Sequence, residues 1–319
     1  MLTQEQLQQR LSYVTGSDAA AICGLSPHRT PFAVWMEKTG KSEPDDLSNL
    51  NHIKFGNYME DGVAKWFEAE SGKKLKPNSV INGPNSASSP MLVHKDYPWM
   101  AGNVDRFLAD ENAILECKTA YNDQDWGRDT NEMPTHYLLQ VAHYCAVGNF
   151  DKAYVAVVFT TTREMRWYEY ERSLKLEEKL IKAESDFWHN HVLTDIMPPP
   201  LTENDIKLMY PAATSFDPYY ASTEEEVLVI KYKALDALIA EQQEQLRLLR
   251  DKLCVRMGDK QLMVNEVGER LISWKFSKAP ERFDSAKFKQ ERPEMYKHYS
   301  KTGNASRPFR VLTPGDKNE

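Results

Sequence analysis

Two acids and a lysine lie close together in this chain: Asp105 within Asn103-Val104-Asp105-Arg106-Phe107, and Glu116 and Lys118 within Ile114-Leu115-Glu116-Cys117-Lys118. Both stretches read as strands. Residues two apart on a strand point to the same face, so Glu116 and Lys118 share one. The intervening Asp110-Glu111 has turn chemistry. As a two-residue hairpin loop it sets Ala109 opposite Asn112 and, in the same register, Asp105 opposite Glu116. Opposed carboxylates repel across a ladder; a divalent cation between them removes the repulsion. With the neighbouring lysine the set suits metal-assisted phosphodiester hydrolysis. A surface hairpin with acids on its wet face has the same spacing. The apolar run Ala113-Ile114-Leu115 argues instead for a buried strand, in which Glu116 needs a partner such as Lys118 or a metal.

Around these residues the chain must supply a scaffold. Its 319 residues suit one large domain or two small ones, and 41% hydrophobic content is enough for a core. No apolar stretch reaches the roughly 20 residues of a membrane span, and the Gln-rich start, Met1 to Arg10, is not a signal peptide. Cys23, Cys117, Cys145 and Cys254 form no Cys-x-x-Cys pair, which disfavours a zinc or iron–sulfur site and fits reduced thiols in a cytoplasm. A net charge of −7 argues against non-specific coating of nucleic acid but allows a local basic channel.

The punctuation predicts helices over 15–23, with Ser17 as N-cap, from Thr30-Pro31 to Gly40, and from Gly56 to Ser71. Residues 41–51 and 77–90 read as loops. In the third helix Glu60 shares a stripe with Val63, Ala64 and Phe67, so it is expected to point inward, paired or as a ligand. Strands are expected near 91–95, 103–109, 113–119, 152–160 and 165–170, and helices over 134–147 and 174–191. This is a mixed-sheet α/β pattern. Pro198-Pro199-Pro200 and the polar stretch after it mark a boundary, giving domains 1–200 and 201–319. The second opens on a long helix, 225–257, whose Leu228, Tyr232, Leu235, Ile239, Leu246, Leu249 and Leu253 keep a 4/3 spacing broken at Gln242, a coiled-coil-like seam. A hairpin through Gly268, a helix over 284–298 and a strand from Arg307 to Leu312 are expected to follow. Basic residues (Lys275, Lys278, Arg282, Lys287, Lys289) interleave there with Trp274, Phe276, Phe283 and Phe288, as on a DNA-facing surface or in a small aromatic core.

Four blocks resemble the YqaJ-type viral recombinases, the group that includes phage lambda exonuclease, within the PD-(D/E)XK nuclease superfamily. They are Arg10 to Ser17 with Ala19 to Pro27; Phe55-Gly56 with Glu60 and Ser71-Gly72; Asp105 with Glu116-Cys117-Lys118; and Gln140-Val141 with His143-Tyr144. The tail from Arg282 to Arg310 is similar to that of many phage recombination nucleases. The resemblance implies a restriction-endonuclease-like core with a mixed central sheet flanked by helices, plus a C-terminal α+β extension. It implies that Asp105, Glu116 and the backbone carbonyl of Cys117 bind magnesium or manganese, with Glu60 assisting. Lys118 would orient water or stabilise charge, Gln140 would line the site, and Arg10, Thr15 and Ser17 would hold a 5′-phosphate. One departure is Ala142, where the family often has a second glutamine. The implied activity is a metal-dependent 5′→3′ exonuclease on double-stranded DNA ends, working as a ring-shaped homotrimer with a single-strand annealing protein in the cytoplasm of a bacterial host. An endonuclease on the same fold and a non-catalytic DNA-end-binding protein are the rival readings.

Overall fold

The computed structural model describes residues 9–43, 50–77, 91–129, 132–211, 217–301 and 307–312. Most of the two expected loops, at 44–49 and 78–90, lies outside the described residues. The chain divides into two compact units, Met1–Met209 and Tyr210–Glu319.

The first unit is built on helices α1 (Gly16–Ile22), α2 (Pro31–Lys38) and α3 (Asn51–Ser71), then strands β1 (Leu92–Val93), β2 (Ala101–Gly102), β3 (Arg106–Phe107) and β4 (Ala113–Ala120). Helix α4 (Thr135–Gly148), strands β5 (Lys152–Phe159) and β6 (Glu164–Glu171), and helices α5 (Leu174–Phe187) and α6 (Glu203–Met209) complete it. A π-helical turn, Trp188–Val192, extends α5. The central sheet runs β3-β4-β5-β6 and is mixed: β4 and β5 are parallel, and the outer pairs are antiparallel. A parallel pair requires a crossover, and α4 supplies it. The eight residues of β5, Lys-Ala-Tyr-Val-Ala-Val-Val-Phe, are buried after the first, as befits a central strand covered on both faces. One face packs Ile114, Val155 and Val157 against Leu139, Val141, Ala142 and Tyr144 of α4. The other packs Leu115, Tyr154 and Ala156 against Val63, Ala64 and Phe67 of α3. The layout is the mixed α/β sheet flanked by helices that the pattern predicts.

Several boundaries differ. The N-cap of α1 is Thr15, not Ser17, because Asp18 at the third helical position accepts from the Thr15 backbone N–H at 3.0 Å and from its hydroxyl at 2.9 Å. Helix α3 begins at Asn51, five residues before the expected Gly56, and Glu60 lies at the edge of its apolar stripe with a side chain 34% exposed. Helix α6 was not anticipated; Asp205 accepts from the backbone N–H groups of Leu201 and Thr202 and from the Thr30 hydroxyl, which ties α6 to α2.

The second unit holds α7 (Thr223–Met257), a hairpin of β7 (Leu262–Val264) and β8 (Arg270–Ser273), and the short helices α8 (Ser285–Glu291) and α9 (Pro293–Tyr299). Gly268, at φ +86°, makes the turn. The single helix expected over 284–298 is two, broken where Pro293 lacks the N–H to continue α8. Arg307 to Leu312 form no strand. The rod of α7 is about 52 Å long at ~1.5 Å per residue, and its seam is open: Leu228, Leu235, Ile239, Leu246 and Leu249 are all more than half exposed.

Candidate active site

The expected register holds. Arg106 pairs with Leu115 and Phe107 with Ile114, which places Asp105 across from Glu116. The Cys117 backbone N–H donates to Asp105 Oδ2 at 2.8 Å, pinning that carboxylate to the edge of β4. Ile114, Glu116 and Lys118 alternate onto the α4 face, where Gln140 waits: its amide donates to Glu116 Oε1 at 2.7 Å. Lys118 Nζ donates to the same oxygen at 2.7 Å and lies 5.0 Å from the centre of the Tyr137 ring. The other oxygen, Glu116 Oε2, is buried and has no hydrogen-bond partner among the described residues. A buried unpaired carboxylate oxygen is costly.

Charge confirms the crowding. Burial first, then Glu116 and Glu60, push the Asp105 carboxyl well above its usual range, against the pull of Lys118. Burial works against the Lys118 ammonium, but Glu116 and Asp105 outweigh it and hold its pKa above the ordinary lysine value. The set therefore carries more negative charge than its single lysine balances. Glu60 is not free to join it: Arg106 donates to Glu60 Oε1 at 2.7 Å, to the backbone carbonyl of Asp105 at 2.6 Å, and to Asp61. The Cys117 thiol packs with the Leu115 face, and burial, then the neighbouring Asp105, push its pKa far up. Among the described residues no three His, Cys, Asp or Glu side chains form a ready metal cage. Of the acids gathered here, Asp105 and Glu116 face each other, and Glu60 is held by Arg106.

A second cluster gathers Arg10, Thr15 and Ser17. The Arg10 guanidinium donates to Thr15 Oγ1 at 3.1 Å and to Ser17 Oγ at 2.6 Å. Beneath them lies buried Asp18, bonded to Lys38 at 2.8 Å and Arg29 at 3.1 Å. Burial alone raises its pKa, yet Lys38, Arg29 and Arg10 together drive it far below the carboxylate range. Tyr144 connects the two clusters. Its hydroxyl accepts from the Gln140 amide at 3.1 Å. Its ring lies so close to Gly16 and Gly102 that a Cβ at either would fall 2.4 Å or 2.7 Å from ring carbons. Only glycine lets α1 and β2 approach that ring.

Arg106, Asp18 and Lys38 are thus site-building residues beyond those the motifs pick out. Tyr144, part of the fourth block, lies four residues after Gln140 on one helical face.

A model of the YqaJ-like viral recombinase domain matches residues 5–153. The chain is 32% identical over 309 residues to the uncharacterized protein YqaJ of Bacillus subtilis (strain 168), covering 94% of this chain and 92% of that protein. The chain belongs to the YqaJ-like viral recombinase family. Among solved structures it is similar to an alkaline exonuclease (LHK-Exo) from Laribacter hongkongensis, at TM-score 0.47 and 13% identity over 61% of this chain and 94% of that one. A phage related exonuclease from Haemophilus somnus 129PT gives TM-score 0.42 and 13% identity, over 58% and 96% respectively. No helix among the described residues of this family member is long and apolar enough to cross a membrane.

Proposed function

We propose that this chain is a divalent-metal-dependent exodeoxyribonuclease that digests double-stranded DNA from its ends in the 5′→3′ direction, leaving 3′ overhangs for recombination by single-strand annealing. One observation carries the reading. Asp105 and Glu116 oppose each other, and Glu116 Oε2 is buried without a hydrogen-bond partner among the described residues, a carboxylate pair one cation short. Hard oxygen donors of this kind fit magnesium or manganese. Bound there, such an ion supplies water activation and charge neutralisation at a phosphodiester.

The chain's own residues do the rest. Gln140 holds Glu116 Oε1 and leaves Oε2 for the ion. Lys118, held cationic by the two acids, is the donor for charge developing on the scissile phosphate. Glu60 would assist at the metal only on release from Arg106, which bonds both it and the Asp105 carbonyl. Arg10, Thr15 and Ser17 present a guanidinium and two hydroxyls as a seat for a terminal 5′-phosphate. Residues 1–200 are assigned as the nuclease core and 201–319 as an extension guarding the DNA path. A homotrimeric ring, an annealing partner and a bacterial cytoplasm belong to the same reading, and membership in a viral recombinase family supports it.

Linear duplex labelled separately at each end, with and without Mg²⁺, tests the proposal alongside closed circular plasmid. The expected result is Mg²⁺-dependent release of nucleotides from 5′ ends, faster for 5′-phosphate than 5′-hydroxyl, with closed circles intact. Nicking of closed circles, or metal-independent release, would overturn it.

A further inference from the structure

The second unit contains a pocket lined by aromatic rings. Phe283, Phe288, Tyr296 and Tyr299, with Ser300, line an open pocket of about 370 Å³ where α8 and α9 pack together. That is within the roughly 300–1,000 Å³ of small-ligand sites. The rings do not close into a core: Phe283 is 72% exposed and Tyr299 75%, and neither α8 nor α9 buries a residue. Phe283 and Phe288 stand edge to face at 5.0 Å between centres, and Lys289 lies 5.4 Å from the centre of the Tyr296 ring. Between Trp274 and Lys301 the sequence carries eight Lys or Arg against four Asp or Glu, in a chain whose net charge is −7. The flanking Arg282, Lys287 and Lys297 are all exposed.

We infer that this pocket takes an unpaired base of single-stranded DNA, with the surrounding cations following the sugar–phosphate chain. The inference rests on the nuclease reading, since the retained strand left by digestion is the source of such bases. Three features select this occupant. The lining is aromatic rather than aliphatic, and stacking on aromatic rings recognises a base whatever its identity. The rim is cationic, which suits a polyanion and is not needed by an apolar protein surface. The pocket is concave, and a base reaches it only when it is not stacked within a duplex.

The test is equilibrium binding by the full-length protein in EDTA, where no metal-dependent cleavage occurs. The probes are a fluorescein-labelled oligo(dT) of about 20 nucleotides and an abasic strand of the same length. The wild type is expected to bind oligo(dT) more tightly than the abasic strand. Replacing both exposed rings, Phe283→Leu with Tyr299→Leu, keeps apolar volume but removes the stacking faces. It should weaken oligo(dT) binding roughly tenfold or more while leaving abasic binding unchanged. Tyr299→Phe should retain the base-dependent part, and circular dichroism melts establish that each variant is folded. Equal wild-type affinity for the two strands, or a folded double-Leu variant with undiminished oligo(dT) affinity, would overturn the pocket. Retained oligo(dT) affinity together with lost binding of an annealing protein would mean that the pocket takes protein instead. The two readings fail separately. Base preference without Mg²⁺-dependent digestion removes the nuclease, and digestion without base preference removes only the pocket.

Discussion

Asp18 and Asp105 are two aspartates of one unit, each next to a cluster of charged side chains, and their surroundings drive them in opposite directions. Around Asp18 stand Lys38, Arg29 and Arg10, and its pKa falls far below the carboxylate range. Around Asp105, burial first and then Glu116 and Glu60, against one nearby lysine, raise its pKa. The charge of Asp18 is balanced by the chain's own cations. The second site is left with surplus negative charge and an oxygen unpartnered among the described residues. Stored repulsion of that sort costs stability and persists where something external relieves it. Burial of a carboxylate therefore says little about function until its neighbours are counted by sign.

The largest effect that sharpens the contrast is on hydrolysis. Lys118→Ala or Glu116→Gln should each slow DNA digestion by about 10²-fold or more while leaving the melting curve that of a folded protein. Digestion at near wild-type rate by folded Lys118→Ala protein would place the chemistry elsewhere. The second effect is on stability, and its sign separates the two aspartates. Asp18→Asn leaves Lys38, whose side chain is 1% exposed, without its counter-charge. The expected cost is about 3–5 kcal/mol in urea unfolding. In the absence of divalent metal, Asp105→Asn removes a charge from an over-acidic set and should stabilise by about 1 kcal/mol. Shifts of the same sign in both variants would break the comparison.

What the sequence made legible follows from range. Loop length and the two-residue strand period put Asp105 across from Glu116 without any long-range information. The i, i+4 relation set Gln140 beside Tyr144 on α4. Arg106 escaped notice because its partner Glu60 lies 46 positions upstream, on a helix packed against the far face of the sheet. Asp205 of α6 is tied to Thr30 across 175 positions, so the polar stretch containing it read as linker. Ser17 and Thr15 are equally good caps by type, and Asp18 at the third helical position decides for Thr15. Arg307 to Leu312 have strand-like composition but no described strand beside them to pair with. The seam on α7 is legible as a seam; what covers it is not, because a heptad pattern is the same whether the stripe is buried within the chain or against a neighbour.

The smallest effect is a difference in pH windows. A carboxylate whose folded pKa lies below its unfolded value of about 3.9 contributes stability that is full above that value and lost as pH falls toward the folded one. The deficit of Asp18→Asn relative to wild type should therefore stay constant from pH 8 to about pH 5 and narrow only below about pH 4. Asp105 runs the other way. Its folded pKa is raised, so the charged form destabilises the fold above that pKa and the cost disappears as protons bind. In EDTA the advantage of Asp105→Asn should be largest at alkaline pH and shrink as pH falls through the raised pKa toward about 4, before the Asp18 window opens. Melting temperatures of the three proteins over pH 4–9, extended downward for as long as they remain folded, measure both windows. An Asp105→Asn advantage that stayed flat across that range would mean that Asp105 is not repelled by Glu116 and Glu60, and the case for a cation between the acids would lose its electrostatic basis.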